Sequence, residues 1–158
     1  MKVVLIAVGN VKSPWAAQGE NTYAQRIGHY IQFETVVAPD VKTSRSTTPQ
    51  AQKEAEGCLI LSKLQPTDAV VLLDERGKQP TSRGLAEMLQ GYMNSGVKRL
   101  VFIIGGPYGF SDSVYDRAAG RMLSLSSLTF PHELARLIFT EQLYRAMTIL
   151  RGEPYHHD

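Results

Sequence analysis

The chain has 158 residues, the size of one ordinary domain, and can bury a core without disulfides or a structural metal. Apolar residues make up 43% and charged residues 20%, which excludes a disordered or fibrous chain, so one domain over residues 1–158 is expected. A formal charge of +2 is too small to mark a nucleic-acid binder by itself, because that footprint needs a clustered basic face. The apolar segment 3–8 is too short to span a membrane and lacks the layout of a signal peptide, so neither export nor a membrane partner is expected. Cys58 is the sole cysteine, which rules out intrachain disulfides and cysteine metal clusters. It is expected to be a buried, inert thiol in a reducing cytoplasm.

In chain order, residues 2–9 (KVVLIAVG) form a β-branched run closed by glycine, and residues 33–38, 69–74 and 100–106 repeat that form. Continuous apolar runs, as opposed to alternating ones, indicate strands covered on both faces, hence a parallel sheet with helices between the strands. Residues 16–30 and 50–64 read as helices, and residues 42–49 (KTSRSTTP) as a cation-bearing surface loop. After Pro80, Leu85, Met88, Leu89, Tyr92 and Met93 make an amphipathic stripe closed by Asn94-Ser95-Gly96. Trp15 is expected to be a packing anchor.

The stretch IIGGPYGF (103–110) follows a strand and precedes a helix, the usual place for a phosphate loop. Neither Walker A nor G-x-G-x-x-G spacing is present, and Pro107 lacks the N–H that a phosphate nest would use. Two readings stand for Gly105 and Gly106. One is a tight turn, with Ser111 or Ser113 capping the next helix and Gly120 ending it; the other is a surface where backbone approaches a flat, uncharged ligand. Residues 125–130 (LSSLTF) likewise form either a loop whose hydroxyls satisfy nearby backbone groups or the wall of a ligand site. Carboxyl ends of strands are where open α/β sheets bind ligands. Leu73-Asp74, Gly105-Gly106 and the 125–130 run could therefore line one crevice.

Pro131 is expected in the first turn of a long helix over residues 132–151, whose apolar residues cover more than half of its circumference. Glu133, Arg136, Thr140, Glu141, Thr148 and Arg151 would form a narrow polar strip. A helix this apolar is expected to be covered on two sides, by its own sheet and by a second subunit. The tail Tyr155-His156-His157-Asp158 is a metal site, a base-stacking and proton-handling element, or a frayed end. Adjacent histidines do not share a helix face and no HExxH spacing occurs, so no metal is expected. An aromatic beside imidazoles, close after Arg145 and Arg151, suits an unstacked RNA base and its phosphates. His132 is expected to serve the first turn of the last helix.

Taken in order, KVVLIAVG, LLDERGK, IIGGPYGF, LSLSSLTFPHELARLIFTEQLYRA and RGEPYHHD resemble the minimal SPOUT-class methyltransferases of the ribosomal large-subunit methyltransferase H family over nearly the whole chain. The resemblance implies methylation of N3 of a pseudouridine in large-subunit ribosomal RNA from S-adenosylmethionine. It also implies an open, mostly parallel α/β sheet with a C-terminal trefoil knot, a rare exception to the unknotted-chain rule. By the same resemblance Leu73, Gly105, Leu125, Ser126, Ser127, Leu128, Thr129 and Phe130 line the cofactor pocket, and the last helix forms a homodimer interface. Ser127-Leu128 stands where many relatives carry Lys-Met, so a contact through that lysine is not carried over. For the chemistry, His156 is the expected proton acceptor, Tyr155 orients the base, and Arg145 and Arg151 hold phosphates. The small net charge fits recognition of a structured ribosomal surface. The competing readings are a non-enzymatic RNA-binding or scaffold protein of the same fold, and methylation of a different RNA nucleotide.

Overall fold

The computed structural model describes residues 1–157. Five parallel strands form one sheet in the order β2-β1-β4-β3-β5: β1 Lys2–Val8, β2 Gln32–Ala38, β3 Ala69–Lys78, β4 Arg99–Ile104 and β5 Met122–Leu123. The helices are α1 Pro14–Ile27, α2 Pro49–Ser62, α3 Ser82–Asn94, α4 Asp112–Ala118 and α5 His132–Leu150.

The continuous apolar runs have a simple cause. Successive side chains of a strand point to opposite faces, and both faces are covered. Val3, Leu5 and Ala7 of β1 pack with Leu85 and Leu89 of α3 and with Phe139 and Leu143 of α5. Val4, Ile6 and Val8 pack instead with Ile60 of α2 and Val114 and Ala118 of α4. Phe102 and Phe139 meet at 4.7 Å between ring centroids and are fully buried. Burial of each such side chain stabilises the fold by roughly 1.5–3 kcal/mol. Helix starts are fixed locally: Thr48 and Thr81 each accept a bond from a backbone N–H, of Ala51 and Gly84, at 3.0 Å.

The chain crosses to opposite sides of β1 and β4 as it builds the sheet, so a topological switch point lies between these two strands. Their carboxyl ends, Val8-Gly9 and Ile104-Gly105, flank a crevice there. Next to β4, strand β3 runs on past Leu73 with a register shift against β5, both Leu73 and Lys78 opposing Leu123. Gly77 allows this crossing, since a Cβ on it would lie 2.5 Å from the Leu123 nitrogen and 2.7 Å from backbone carbons of Met122 and Leu123.

Several expectations are corrected. The hydroxyl-rich segment begins with a fifth strand, β5, not read from sequence because only two of its residues pair. Pro131 takes the N-cap position of α5 instead of its first turn. Ser111 occupies the N-cap of α4 but its side chain makes no capping bond, and that helix ends on left-handed Ala119 followed by Gly120. Cys58 is exposed, on the outer side of α2. Trp15 is 57% exposed, so it anchors nothing within the chain. Arg136, Thr140 and Thr148, assigned to a polar strip, are buried. Thr140 and Thr148 donate to the carbonyls of Arg136 and Arg145, at 2.8 and 2.6 Å, which lets a hydroxyl lie in an apolar face. Arg136 is buried because Glu20 of α1 meets it, through Nε–Oε2 at 3.1 Å and Nη2–Oε1 at 3.0 Å. Its third donor, Nη1, bonds the Gly9 carbonyl at 3.0 Å, fixing the end of β1 at the crevice.

Candidate active site

The loop after β5 is held by its own hydroxyls. Ser124 Oγ donates to the Ser126 carbonyl at 3.0 Å, and Ser126 Oγ accepts from the Leu128 backbone N–H at 2.9 Å. The Ser124 backbone N–H donates to the Lys78 carbonyl at 2.9 Å, tying the loop to β3. The hydroxyls thus satisfy nearby backbone groups, and the loop so braced borders a recess. Leu73, Leu125, Ser126, Leu128, Thr129 and Phe130 line one recess of about 180 Å³, together with Ile104 and Ala135. Ser127 lies in the same run but outside that lining. Leu128 is 73% exposed at the rim.

Gly105 lies beside this recess, in two larger cavities that share the IIGGPYGF loop. One, of about 640 Å³, is bounded by Lys53, Asp74, Arg76, Tyr108 and Tyr115. The other, of about 970 Å³, fills the switch-point crevice between Val8-Gly9 and Ile104-Gly105 and shares Thr129 and Phe130 with the recess. The glycines serve the chain itself. A Cβ on Gly105 would lie 2.9 Å from the Phe110 ring, one on Gly106 would lie 2.3 Å from Glu56 Oε2, and Gly109 has φ +81° in a turn closed by its N–H on the Gly106 carbonyl at 3.2 Å.

Three groups at these cavities acquire their partners, or lack them, only in the fold. Tyr115 Oη donates to Asp74 Oδ2 at 2.6 Å, and the Arg76 guanidinium lies 4.5 Å over the Tyr115 ring. Burial opposes ionisation of Asp74, but hydrogen bonds from Tyr115 and Arg76 outweigh it and hold the carboxyl below its ordinary value. Glu56 of α2 lines the switch-point cavity with one carboxylate oxygen buried and without a hydrogen-bond partner. No local signal marks it, because its neighbour Gly106 is distant in sequence. His132, at the start of α5, lines the same cavity, and its Nε2 is likewise buried without a partner. Burial, seconded by the Arg136 charge, lowers its pKa from 6.5, and the carboxylates of Asp40, Glu133 and Glu20 only partly oppose this. The imidazole is therefore neutral near pH 7. Glu133 accepts the backbone N–H groups of Lys12 and Ser13, pinning the loop after β1 to the start of α5.

The four residues predicted to handle RNA do not join this wall within one chain. Arg145 forms an ion pair with Glu141 at 2.6 Å, and its guanidinium lies 4.7 Å over the Tyr155 ring. Tyr155 Oη donates to Glu141 at 3.0 Å, and His156 Nδ1 lies 3.4 Å from Arg145 Nη1. Burial and bonds to Tyr23 and Glu141 push the Tyr155 phenol well up, so it stays protonated. Arg151, just past α5, is exposed. Ala135, on the cavity wall, precedes Arg145 by ten residues of α5, or roughly 15 Å along the axis. Leu134, Ile138, Glu141 and Arg145 follow the i, i+4, i+7, i+11 spacing of one helix face, and the buried Phe139, Leu143 and Ala146 occupy the other. The tail thus covers the side of α5 turned from the sheet. Among the described residues no group of three or more His, Cys, Asp or Glu side chains is placed to hold a metal ion.

A family model described as "Predicted SPOUT methyltransferase" matches residues 1–156. The chain belongs to the SPOUT methyltransferase family. Proteins named ribosomal RNA large subunit methyltransferase H are similar to it along their whole length. The one from Porphyromonas gingivalis is 50% identical over 158 residues, covering 100% of both chains, and that from Parabacteroides distasonis is 51% identical over the same span. The Flavobacterium johnsoniae protein is 51% identical over 157 residues, 99% of each chain. Among solved structures, a methylase-family protein from Haemophilus influenzae has a similar fold, with a TM-score of 0.55 at 12% identity, over 99% of this chain and 70% of that one. This SPOUT methyltransferase carries its 125–130 run against the carboxyl ends of β3 and β4.

Proposed function

We propose that this SPOUT methyltransferase transfers the methyl group of S-adenosylmethionine to N3 of a pseudouridine in large-subunit ribosomal RNA, acting on the ribosome as a cytoplasmic homodimer. The observation that carries the reading is identity of about half, over the full length, with proteins named for methylation of large-subunit ribosomal RNA. The convergence of Leu73 and the 125–130 loop on one recess, with Gly105 beside it, supports the cofactor assignment. The residues suit the group: Leu73, Leu125 and Phe130 offer apolar walls for a purine ring, and the braced loop backbone offers hydrogen bonds at its edge. When bound, the cofactor supplies an electrophilic methyl on a sulfonium, which needs no metal.

What the chain must do is hold the target nitrogen in line with that methyl and accept its proton, and positioning accounts for much of such a rate enhancement. We assign the proton to His156, orientation of the base to Tyr155, and phosphate contacts to Arg145 and Arg151. Because these groups lie on the outer side of α5, a second subunit packed on that side is what would bring one chain's tail to the other's cofactor wall. Leu134 and Ile138, half-buried on the same face, support that contact. The whole chain acts as a single domain, with the trefoil knot that the family implies. The test is transfer of labelled methyl from S-adenosylmethionine to large ribosomal subunits by the purified protein. Label at one pseudouridine N3, lost in His156→Ala at saturating RNA, supports the assignment. Full turnover by that variant removes His156 from the proton-accepting role, and cofactor binding with no transfer to any ribosomal RNA would point to a scaffold.

A further inference from the structure

Among the described residues, two buried side-chain atoms without a hydrogen-bond partner, Glu56 Oε2 and His132 Nε2, belong to residues that line one cavity. Each such group costs stability unless something bonds it, and a native structure keeps it for a reason. Glu56 is only 3% exposed. Gln52 Nε2 donates to its other oxygen at 3.0 Å, which fixes the carboxylate, and Oε2 is packed directly on Gly106. That contact accounts for the glycine at 106, since a Cβ there would lie 2.3 Å from Oε2. The cavity lies at the topological switch point and shares Gly105, Thr129 and Phe130 with the residues assigned to the cofactor.

We propose that Glu56 and His132 form the subsite for the amino-acid end of the sulfonium cofactor, Glu56 accepting from its ammonium group and His132 Nε2–H donating to its carboxylate. This rests on the cofactor reading above and adds to it the residues that distinguish a zwitterionic arm. An α-amino acid carries the complementary pair for these two residues, a donor cation and an acceptor anion on one carbon. A metal ion is the weaker fit, for it would need several oxygen ligands and no group of three is placed to supply them among the described residues. The neutral imidazole has one N–H to give, and the carboxylate of the arm would fix it on Nε2.

Calorimetry with three ligands tests this without any turnover: S-adenosylhomocysteine, its analogue with hydrogen in place of the amino group, and 5′-methylthioadenosine, which lacks the whole arm. The wild-type protein should bind S-adenosylhomocysteine roughly 10- to 100-fold more tightly than the deaminated analogue, the range for a hydrogen bond to a charged group. Glu56→Gln should erase that difference while leaving the affinity for 5′-methylthioadenosine unchanged, which also reports an intact pocket. Equal wild-type affinity for the first two ligands overturns the proposal, and so does a Glu56→Gln protein that still discriminates fully. Should Glu56→Gln fail to fold, the wild-type comparison alone decides. Failure of the wild type to bind any of the three would instead sink the cofactor reading.

Discussion

Arg136→Met tests how the end of β1 is held at the crevice. The arginine is buried with three donors satisfied, two on Glu20 and one on the Gly9 carbonyl, and the two side chains are 5% and 10% exposed. Methionine has similar length but no charge, so Glu20 would keep only the hydroxyl of Thr35, which donates to it at 3.1 Å, and Gly9 would lose a partner. Removing one member of a buried ion pair leaves the other uncompensated, at a cost of roughly 3–5 kcal/mol. Against a total stability of about 5–15 kcal/mol this is a large share. With a urea dependence of about 2 kcal/mol/M, the unfolding midpoint should fall by ~1.5–2.5 M. Far-ultraviolet circular dichroism is the readout of choice, because exposed Trp15 is a poor reporter of core unfolding. All samples should be compared at one protein concentration, since dimerisation would link stability to it. Glu20→Leu combined with Arg136→Met should lie closer to wild type than Arg136→Met alone, as the stranded charge is gone. A loss under about 1 kcal/mol, or a double variant no better than the single, would refute the buried-pair account.

Gly77→Ala should destabilise the β3–β5 crossing by roughly 1–3 kcal/mol, because the new Cβ meets backbone of Met122 and Leu123 and not a movable side chain. An unchanged thermal midpoint would contradict this. His132 has a pKa lowered below 6.5 in the fold, mainly by burial, so its contribution to stability is present above that value and is lost as pH falls through the folded value. His132→Gln should therefore lose less stability than wild type between about pH 7 and pH 5, and parallel pH profiles for the two would dismiss the effect. Sedimentation at micromolar concentration should find a dimer, and substitution of Ile138 by Asp should shift it toward monomer. A wild-type monomer would remove the second subunit from the proposed site.

The sheet was legible because its strands are buried on both faces: Val3 through Val8 serve two cores at once, and no polar residue interrupts them. β5 was not, since two residues pairing with β3 through a register shift leave no periodic trace. The polar strip on α5 failed for a definite reason. Whether Arg136 faces water depends on Glu20 standing opposite it, and Thr140 and Thr148 hide their hydroxyls on the helix's own carbonyls. The residues proposed for the cofactor, Leu73, Gly105 and Leu125 to Phe130, carry sequence signals only as turns and strand ends. The resemblance gave them a common purpose. Glu56 and His132 carried none, because being buried without a partner is a property of the folded cavity. The residue types of the tail are legible in sequence, but its placement on the outer face of α5 depends on Tyr155 reaching Glu141.

The most direct test of the account is mass spectrometry of large-subunit ribosomal RNA from a strain lacking this protein, before and after the gene is restored. One pseudouridine should lose its N3 methyl group in the deletion and regain it on restoration, with all other modified nucleotides unchanged. An identical modification pattern in the two strains would contradict methyl transfer to this RNA, and loss of a methyl from a different nucleotide would contradict the pseudouridine assignment.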